Sequence, residues 1–425
     1  MTSTTLPDPS LGRAWTVVAL VFLFMVINFA DKAVVGLASV PIMEELHLSR
    51  AQFGMLGSAF FLLFSVAGVA VGFLANRFST KTIMWVMGVV WAAALLPISR
   101  VSSFAVLVGS RVILGAAEGP AFPVAVHAVY KWFRDEHRAL PTSVVASGAA
   151  VGAGIVAPMI IWVIDAFGWH VAFGTLGVLG LVWVGVWLVL GSEGPVANPA
   201  AAESGAGRRV RYGQLLMSRT AIGVYVAGFA AYWILALNLV WLGNYLIKAL
   251  RMAPADAAWV IALPSAMQMA LAPGIAYLSQ RLSRLGIPSR ISRGWVGTLC
   301  VVIAGVSMAC FPFVEMGALK IFLVGLACSI GSVIFTLGAT LIGEISPASQ
   351  RGAALGVTNS IVTLAGLCAP IAMGRIVDIN ADPSAGFRTG YLYAGALVAT
   401  LGVVAAILIN PERDLRRFRL IEEAG

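Results

Sequence analysis

Residues 108–131, VGSRVILGAAEGPAFPVAVHAVYK, decide how the chain is read. The stretch is apolar over more than the roughly 20 residues a helix needs to cross a bilayer, yet Arg111 and Glu118 interrupt it. Two helical turns separate them, so both side chains leave the helix on nearly one side. A charge at membrane depth costs about 2.5–3.5 kcal/mol on insertion scales, so such residues face a protein interior or a wet cavity. Asp31 and Lys32 break the first apolar run in the same way. These four ionisable groups mark the functional centre.

The rest of the chain fits a membrane setting. Of 425 residues, 60% are hydrophobic and 11% charged, whereas soluble domains carry about 25% charge. Runs long enough to span fall near 14–42, 51–75, 82–100, 104–131, 139–165, 170–191, 219–247, 256–280, 293–313, 317–343, 351–377 and 388–410. The expected fold is therefore an all-α polytopic membrane protein of twelve transmembrane helices. The polar start and single Arg before the first run resemble a signal peptide only superficially, because the run is too long. It is read as an uncleaved first helix.

The longest break, 192–218, is rich in Gly, Pro and Ala and ends in a basic cluster. It divides an N-terminal bundle (1–191) from a C-terminal one (219–425), six spans each. With the N-terminus inside, nineteen Lys and Arg fall on the cytoplasmic side and seven on the other, leaving Lys32 and Arg111 in the membrane. By the positive-inside rule both termini are then cytoplasmic, in an inner (plasma) membrane. The halves echo each other weakly. Residues 72–81, GFLANRFSTK, correspond to 276–284, AYLSQRLSR, and Arg138 precedes Pro158 much as Arg351 precedes Pro370. Such duplication is the plan of a carrier whose halves rock about a central site.

The motifs resemble the major facilitator superfamily, and within it the anion:cation symporters, which include sugar-acid, phthalate and vesicular glutamate carriers. Residues 72–81 resemble the loop pattern G-x-x-x-D-R-x-G-R-[KR], with Asn76 in place of its acid and Ser79 in place of its second glycine. Residues 28–32, NFADK, resemble the subfamily's N-Y-x-D-R. Residues 111–123, RVILGAAEGPAFP, match R-x-x-x-G-x-x-E-[AG]-x-x-x-P, and 132–138, WFRDEHR, match the W-F-x-x-x-x-R loop after it. The resemblance implies two six-helix bundles in the major facilitator fold. It also implies that Glu118 couples proton movement to substrate and that Asp31 assists.

The physics of the residues agrees. A buried carboxylate stays ionised beside a basic partner and takes up a proton when that partner leaves. An anion entering the cavity would compete with Glu118 for Arg111. Arg111 can hold a carboxylate through two parallel bonds, while Lys32 offers one compact charge. Arg111 and Lys32 are thus expected to hold the substrate, and Asp31 and Glu118 to carry protons. The alternative is that Asp31–Lys32 and Arg111–Glu118 merely neutralise each other as structural pairs.

Departures from the sugar-acid carriers bear on substrate. Phe29 replaces a Tyr in span one and Phe64 a Tyr in span two; Ala149 aligns with a Gln, and Thr363 with an Asn, Asn359 lying one turn away. Each change removes a group able to hold a hydroxyl, which favours a low-polarity aromatic or short aliphatic acid over a sugar acid. Phe29, Phe64, Asn359 and Thr363 complete the expected substrate set.

Tyr232, Asn238, Asn244, Gln268, Ser329, Ser332 and Thr336 are the polar residues of the second half that could reach a cavity, or bond helix to helix. Trp233 and Trp241 could wall a substrate or fill the core. Arg375 either faces the outer vestibule or snorkels beside Asp378. Gly148, Gly152, Gly154 and Pro158 suit close packing and bending in span five, and the four cysteines read as packing residues. His127 falls on the face opposite Glu118 and reads as a packing residue rather than a proton relay.

No hydrolase, metal or phosphate-loop spacing occurs, so neither an enzyme nor a cofactor nor a metal site is expected, and the scattered basic residues give no nucleic-acid surface. The expected function is proton-coupled symport of a small organic anion by a monomer. The alternative is a proton-coupled exporter of drugs or metabolites, against which Lys32 and Arg111 argue for cationic cargo.

Overall fold

A computed structural model of the chain describes residues 11–74, 78–133, 139–194, 210–347 and 350–423. Among the described residues there is no strand, and twelve helices are long and apolar enough to cross a membrane. In order they are Leu11–Leu37, Arg50–Gly68, Thr80–Ser99, Phe104–Tyr130, Leu140–Phe167, Trp169–Leu190, Arg219–Ala249, Pro254–Arg284, Arg290–Phe313, Ala318–Ile345, Arg351–Ile379 and Pro383–Leu408. These are spans one to twelve below.

Span one ends earlier than the apolar run suggests. The chain turns at Ala38 and restarts as the short helix Ser39–Glu45, because Pro41 supplies no amide to continue the ladder. Span eight runs longer at both ends and carries Pro264 and Pro273 inside it.

The spans assemble as two six-helix bundles. In the first, span one packs on spans five and six, two on four, and three on six; in the second, nine packs on twelve, and seven on eleven and twelve. Span five's glycines serve the expected close packing: Gly148 and Gly152 abut span one at Phe22 and Val26, and Gly154 abuts Ser265 of span eight. The bundles meet along spans one and seven, two and eleven, and five and eight.

Each bundle is tied at the face that carries the termini. Glu193 accepts from Thr80 Oγ1 (2.8 Å), the Lys81 amide (2.7 Å) and Lys131 Nζ (2.7 Å). Partial burial pushes its carboxyl up, but those donors outweigh burial and hold it below the ordinary value of 4.5. In the second bundle Asp414 accepts from the Thr220 amide at 2.8 Å. Of the expected linker, 210–218 is described and holds the short helix Tyr212–Leu216; 195–209 lies outside the described residues, as do Asn76, Arg77 and Arg134 to Arg138 of the loop motifs.

Candidate functional site

Span four is where the site is built. Its first helix stops at Glu118, turns at 119–120 and resumes at Ala121. Pro120 and Pro123 lack the amides that would carry the ladder through. Gly115 and Gly119 face span two so closely that an added Cβ would lie 1.7 Å from the Phe60 carbonyl oxygen and 2.0 Å from that of Phe64. Only a backbone without side chains admits this contact. It sets Phe60 and Phe64 beside Arg111 and Glu118, while span one brings Asp31 and Lys32 from the other side.

The ion pairs cross between helices. Lys32 Nζ lies 3.2 Å from Glu118 Oε2, and Arg111 Nη1 lies 3.5 Å from Asp31 Oδ1. This corrects the pairings Asp31–Lys32 and Arg111–Glu118. Adjacent residues of a helix point about 100° apart and cannot face each other, and a seven-residue gap is about 10 Å along the axis. Each base therefore reaches across to the other helix. Arg111 Nη2 also donates to the Asp31 carbonyl oxygen at 3.5 Å, and Lys32 Nζ donates to Asn28 Oδ1.

All four groups are covered: Asp31 and Glu118 are 1% exposed, Arg111 2% and Lys32 8%. Among the described residues Asn28 Nδ2, Asp31 Oδ2, Arg111 Nε and both Glu118 oxygens have no hydrogen-bond partner. Glu118 is held by charge, without a well-directed bond. A buried polar group left without a bond costs more than a made bond returns, so charge pairing across the two helices carries the cluster.

Around Lys32 stands an apolar wall. Its ammonium is 4.2 Å from the centre of the Phe29 ring, 5.5 Å from Phe64 and 5.8 Å from Phe60; Arg111 Cζ is 5.2 Å from Phe60. Phe61 meets Tyr232 of span seven edge-on at 5.7 Å, and Tyr232 meets Phe335 of span ten at 6.1 Å. Aromatic faces attract a cation by about 0.5–2 kcal/mol, so they steady the two bases independently of the acids.

Phe29, Lys32, Phe64, Asp31, Arg111 and Glu118 thus come together. Thr363 is 1% exposed, and its hydroxyl lies 2.5 Å from that of Ser65 in span two. Asn359 is exposed, one turn nearer the termini face. Ala149 is half-buried.

In the second half, Ser329 and Ser332 donate to carbonyls of their own helix, and Asn244 Nδ2 reaches Met43 Sδ at 3.8 Å. Trp241 is fully buried and donates to the Pro370 carbonyl at 3.0 Å, so it fills the core instead of walling a cavity. Arg375 is exposed, and Asp378 bonds to span two. Sequence reasoning gave no role to Asn28, Phe60 and Ser65. The sequence shows only that Phe60 and Phe64 lie one turn apart on one face; their seat against Gly115 and Gly119 comes from the fold.

A family model for the Major Facilitator Superfamily matches residues 20–323 and 224–424. The chain belongs to this superfamily. It is similar to a probable galactarate/D-glucarate transporter of Bacillus subtilis (26% identical, 93% of this chain and 92% of the relative). It is also similar to a D-galactonate transporter of Escherichia coli O6:H1 (25% identical, 93% and 95%). In fold it resembles the crystal structure of a bacterial homologue of the human lysosomal transporter Spinster in an inward-facing, occupied conformation. There the TM-score is 0.79 at 15% identity, covering 96% of this chain and 99% of the other.

Proposed function

We propose that this superfamily member is a proton-coupled symporter of a small organic carboxylate, working by alternating access across a bacterial inner membrane with both termini in the cytoplasm. The observation that carries this reading is the crossed quartet of Asp31, Lys32, Arg111 and Glu118. Two acids and two bases sum to zero charge in a covered site. A carboxylate drawn to Lys32 and Arg111 brings one negative charge into a medium where unbalanced charge is costly. One proton restores neutrality, and Glu118 is the acceptor that loses its partner when Lys32 turns to the guest. A monocarboxylate therefore travels with one proton. Residues 1–191 and 219–425 are the rocking halves, 192–218 the tether, and the chain acts as a monomer without a cofactor or catalytic group.

The organic-anion class is supported by the relatives, which are named for sugar acids. Those names weigh against the low-polarity substrate that the sequence favours. On its side stand the Phe29, Phe60 and Phe64 rings around Lys32, and a Thr363 hydroxyl already engaged with Ser65. Neither arrangement rewards a row of hydroxyls, and the proposal keeps an aromatic or short aliphatic acid as the preferred guest.

The test is uptake into proteoliposomes carrying a pH dye, with galactarate and galactonate set against benzoate-type and short aliphatic acids. Uptake of the less polar acids with proton entry is the expected result. Preferential uptake of the sugar acids would overturn the substrate preference, and uptake of any acid without proton movement would overturn coupling. Expulsion of a compound in exchange for protons would instead establish the exporter reading.

A further inference from the structure

We infer that Asp378 is a positioning residue for the transport cycle: it holds the face opposite the termini shut by capping the start of span two from the other half. The inference rests on reading the chain as an alternating-access carrier.

Span two begins with its own capping box. Ser49 Oγ accepts from the Gln52 amide at 3.1 Å, and the Gln52 side chain accepts from the Ser49 amide at 2.9 Å. That leaves the amides of Arg50 and Ala51, which no earlier carbonyl of the helix can accept. Asp378, near the end of span eleven, takes both: Oδ1 accepts from Arg50 N at 3.1 Å and Oδ2 from Ala51 N at 2.7 Å. A carboxylate astride the positive end of a helix makes charge-assisted bonds, favoured further by the helix dipole.

The approach is prepared by glycines. A Cβ on Gly374 would lie 2.4 Å from the Arg50 carbonyl oxygen, and one on Gly54 would lie 2.5 Å from that of Pro370. The two backbones touch there, and one turn beyond Gly374 the chain delivers Asp378 over the first turn of span two.

The other cross-half charges at this face are weaker. Arg50 Nη1 is 3.7 Å from Asp378 Oδ1, with side chains 33% and 26% exposed, and Lys248–Glu44 is still more open at 47% and 62%. Exposed pairs of this kind contribute little. Across this seam the Asp378 carboxylate is the contact that engages backbone amides. Opening this face must break those bonds, while everything that ties each bundle together stays intact.

The experiment is a distance measurement between spin labels at Val101 and Met316, exposed positions at the same face of the two halves, in a background without the native cysteines. Asp378→Ala is expected to raise the population with long label separation about tenfold over the parent protein, the equivalent of one capping interaction. Asp378→Asn, which keeps an acceptor without the charge, is expected to fall between the two. Arg50→Gln is expected to change the population by less than about twofold. A lowered melting temperature with unchanged distances would overturn the inference, and so would an Arg50→Gln effect equal to that of Asp378→Ala. The distances report shape alone, so a failure to transport organic acids leaves this result readable.

Discussion

The two six-helix bundles share a plan but divide the chemistry unequally. The first holds two acids and two bases at membrane depth, covered and paired across spans one and four. In the second, the charges sit toward the span ends, as with Lys248, Lys320, Arg375 and Arg388. Tyr232, itself against Phe335, meets Phe61 of the phenylalanine wall, and Thr363 is bonded to Ser65 at the seam. Under the proposed function the difference is a division of labour in which one half binds and exchanges protons and the other closes over it. An apolar partner surface can slide and part without stranding a charge, which a second charged half could not do.

The strongest challenge to this asymmetry is to remove one base. Arg111→Leu leaves Asp31 covered and unbalanced, an expected loss of about 3–5 kcal/mol in stability together with all transport. The double variant Asp31→Leu, Arg111→Leu is expected to recover most of that stability and none of the transport. Thermal unfolding in detergent and vesicle uptake measure the two effects. Full transport by the double variant would make this pair structural.

A second variant tests how the site is assembled. Gly115→Val drives two methyl groups at the Phe60 carbonyl, where even one Cβ would sit at 1.7 Å. Overpacking of this kind costs about 1–3 kcal/mol, and here it also pushes Phe60 and Phe64 off Lys32 and Arg111. Uptake is expected to fall further than melting temperature does. Gly109, with nothing within 4 Å of an added Cβ, is the control, and Gly109→Ala is expected to leave both unchanged.

The smallest effect belongs to the seam between halves. Ser65→Ala removes the hydroxyl that faces Thr363, at an expected cost of about 0.6–1 kcal/mol. Because that contact joins the moving halves, transport rate is expected to change by more than stability. Ser332→Ala, whose bond stays within its own helix, is expected to change neither.

Much of this arrangement is legible in the sequence because membranes are strict. A run such as 170–191 has one plausible use, and Arg111 or Glu118 inside an apolar helix is too costly to be incidental. Partner choice is less legible. Which base meets which acid depends on how spans one and four are turned, and that is set by Gly115 and Gly119 seated on span two. Phe60 and Ser65 were hidden for a related reason: a phenyl ring or hydroxyl in an apolar run reads alike whether it faces lipid, helix or cavity. In the sequence Asp378 is only a neighbour of Arg375, and the fold shows its carboxylate on amides from the opposite half. The early end of span one was available from Pro41, which the apolar run masked.

The most direct measurement of proton coupling at the charged quartet is transport by Glu118→Gln in proteoliposomes, assayed both as counterflow and as accumulation against a proton gradient. Glutamine keeps the shape and gives up the titrating proton. Counterflow retained, with gradient-driven accumulation lost, is the expected result. Full accumulation with proton entry unchanged would contradict it and remove Glu118 from the coupling mechanism.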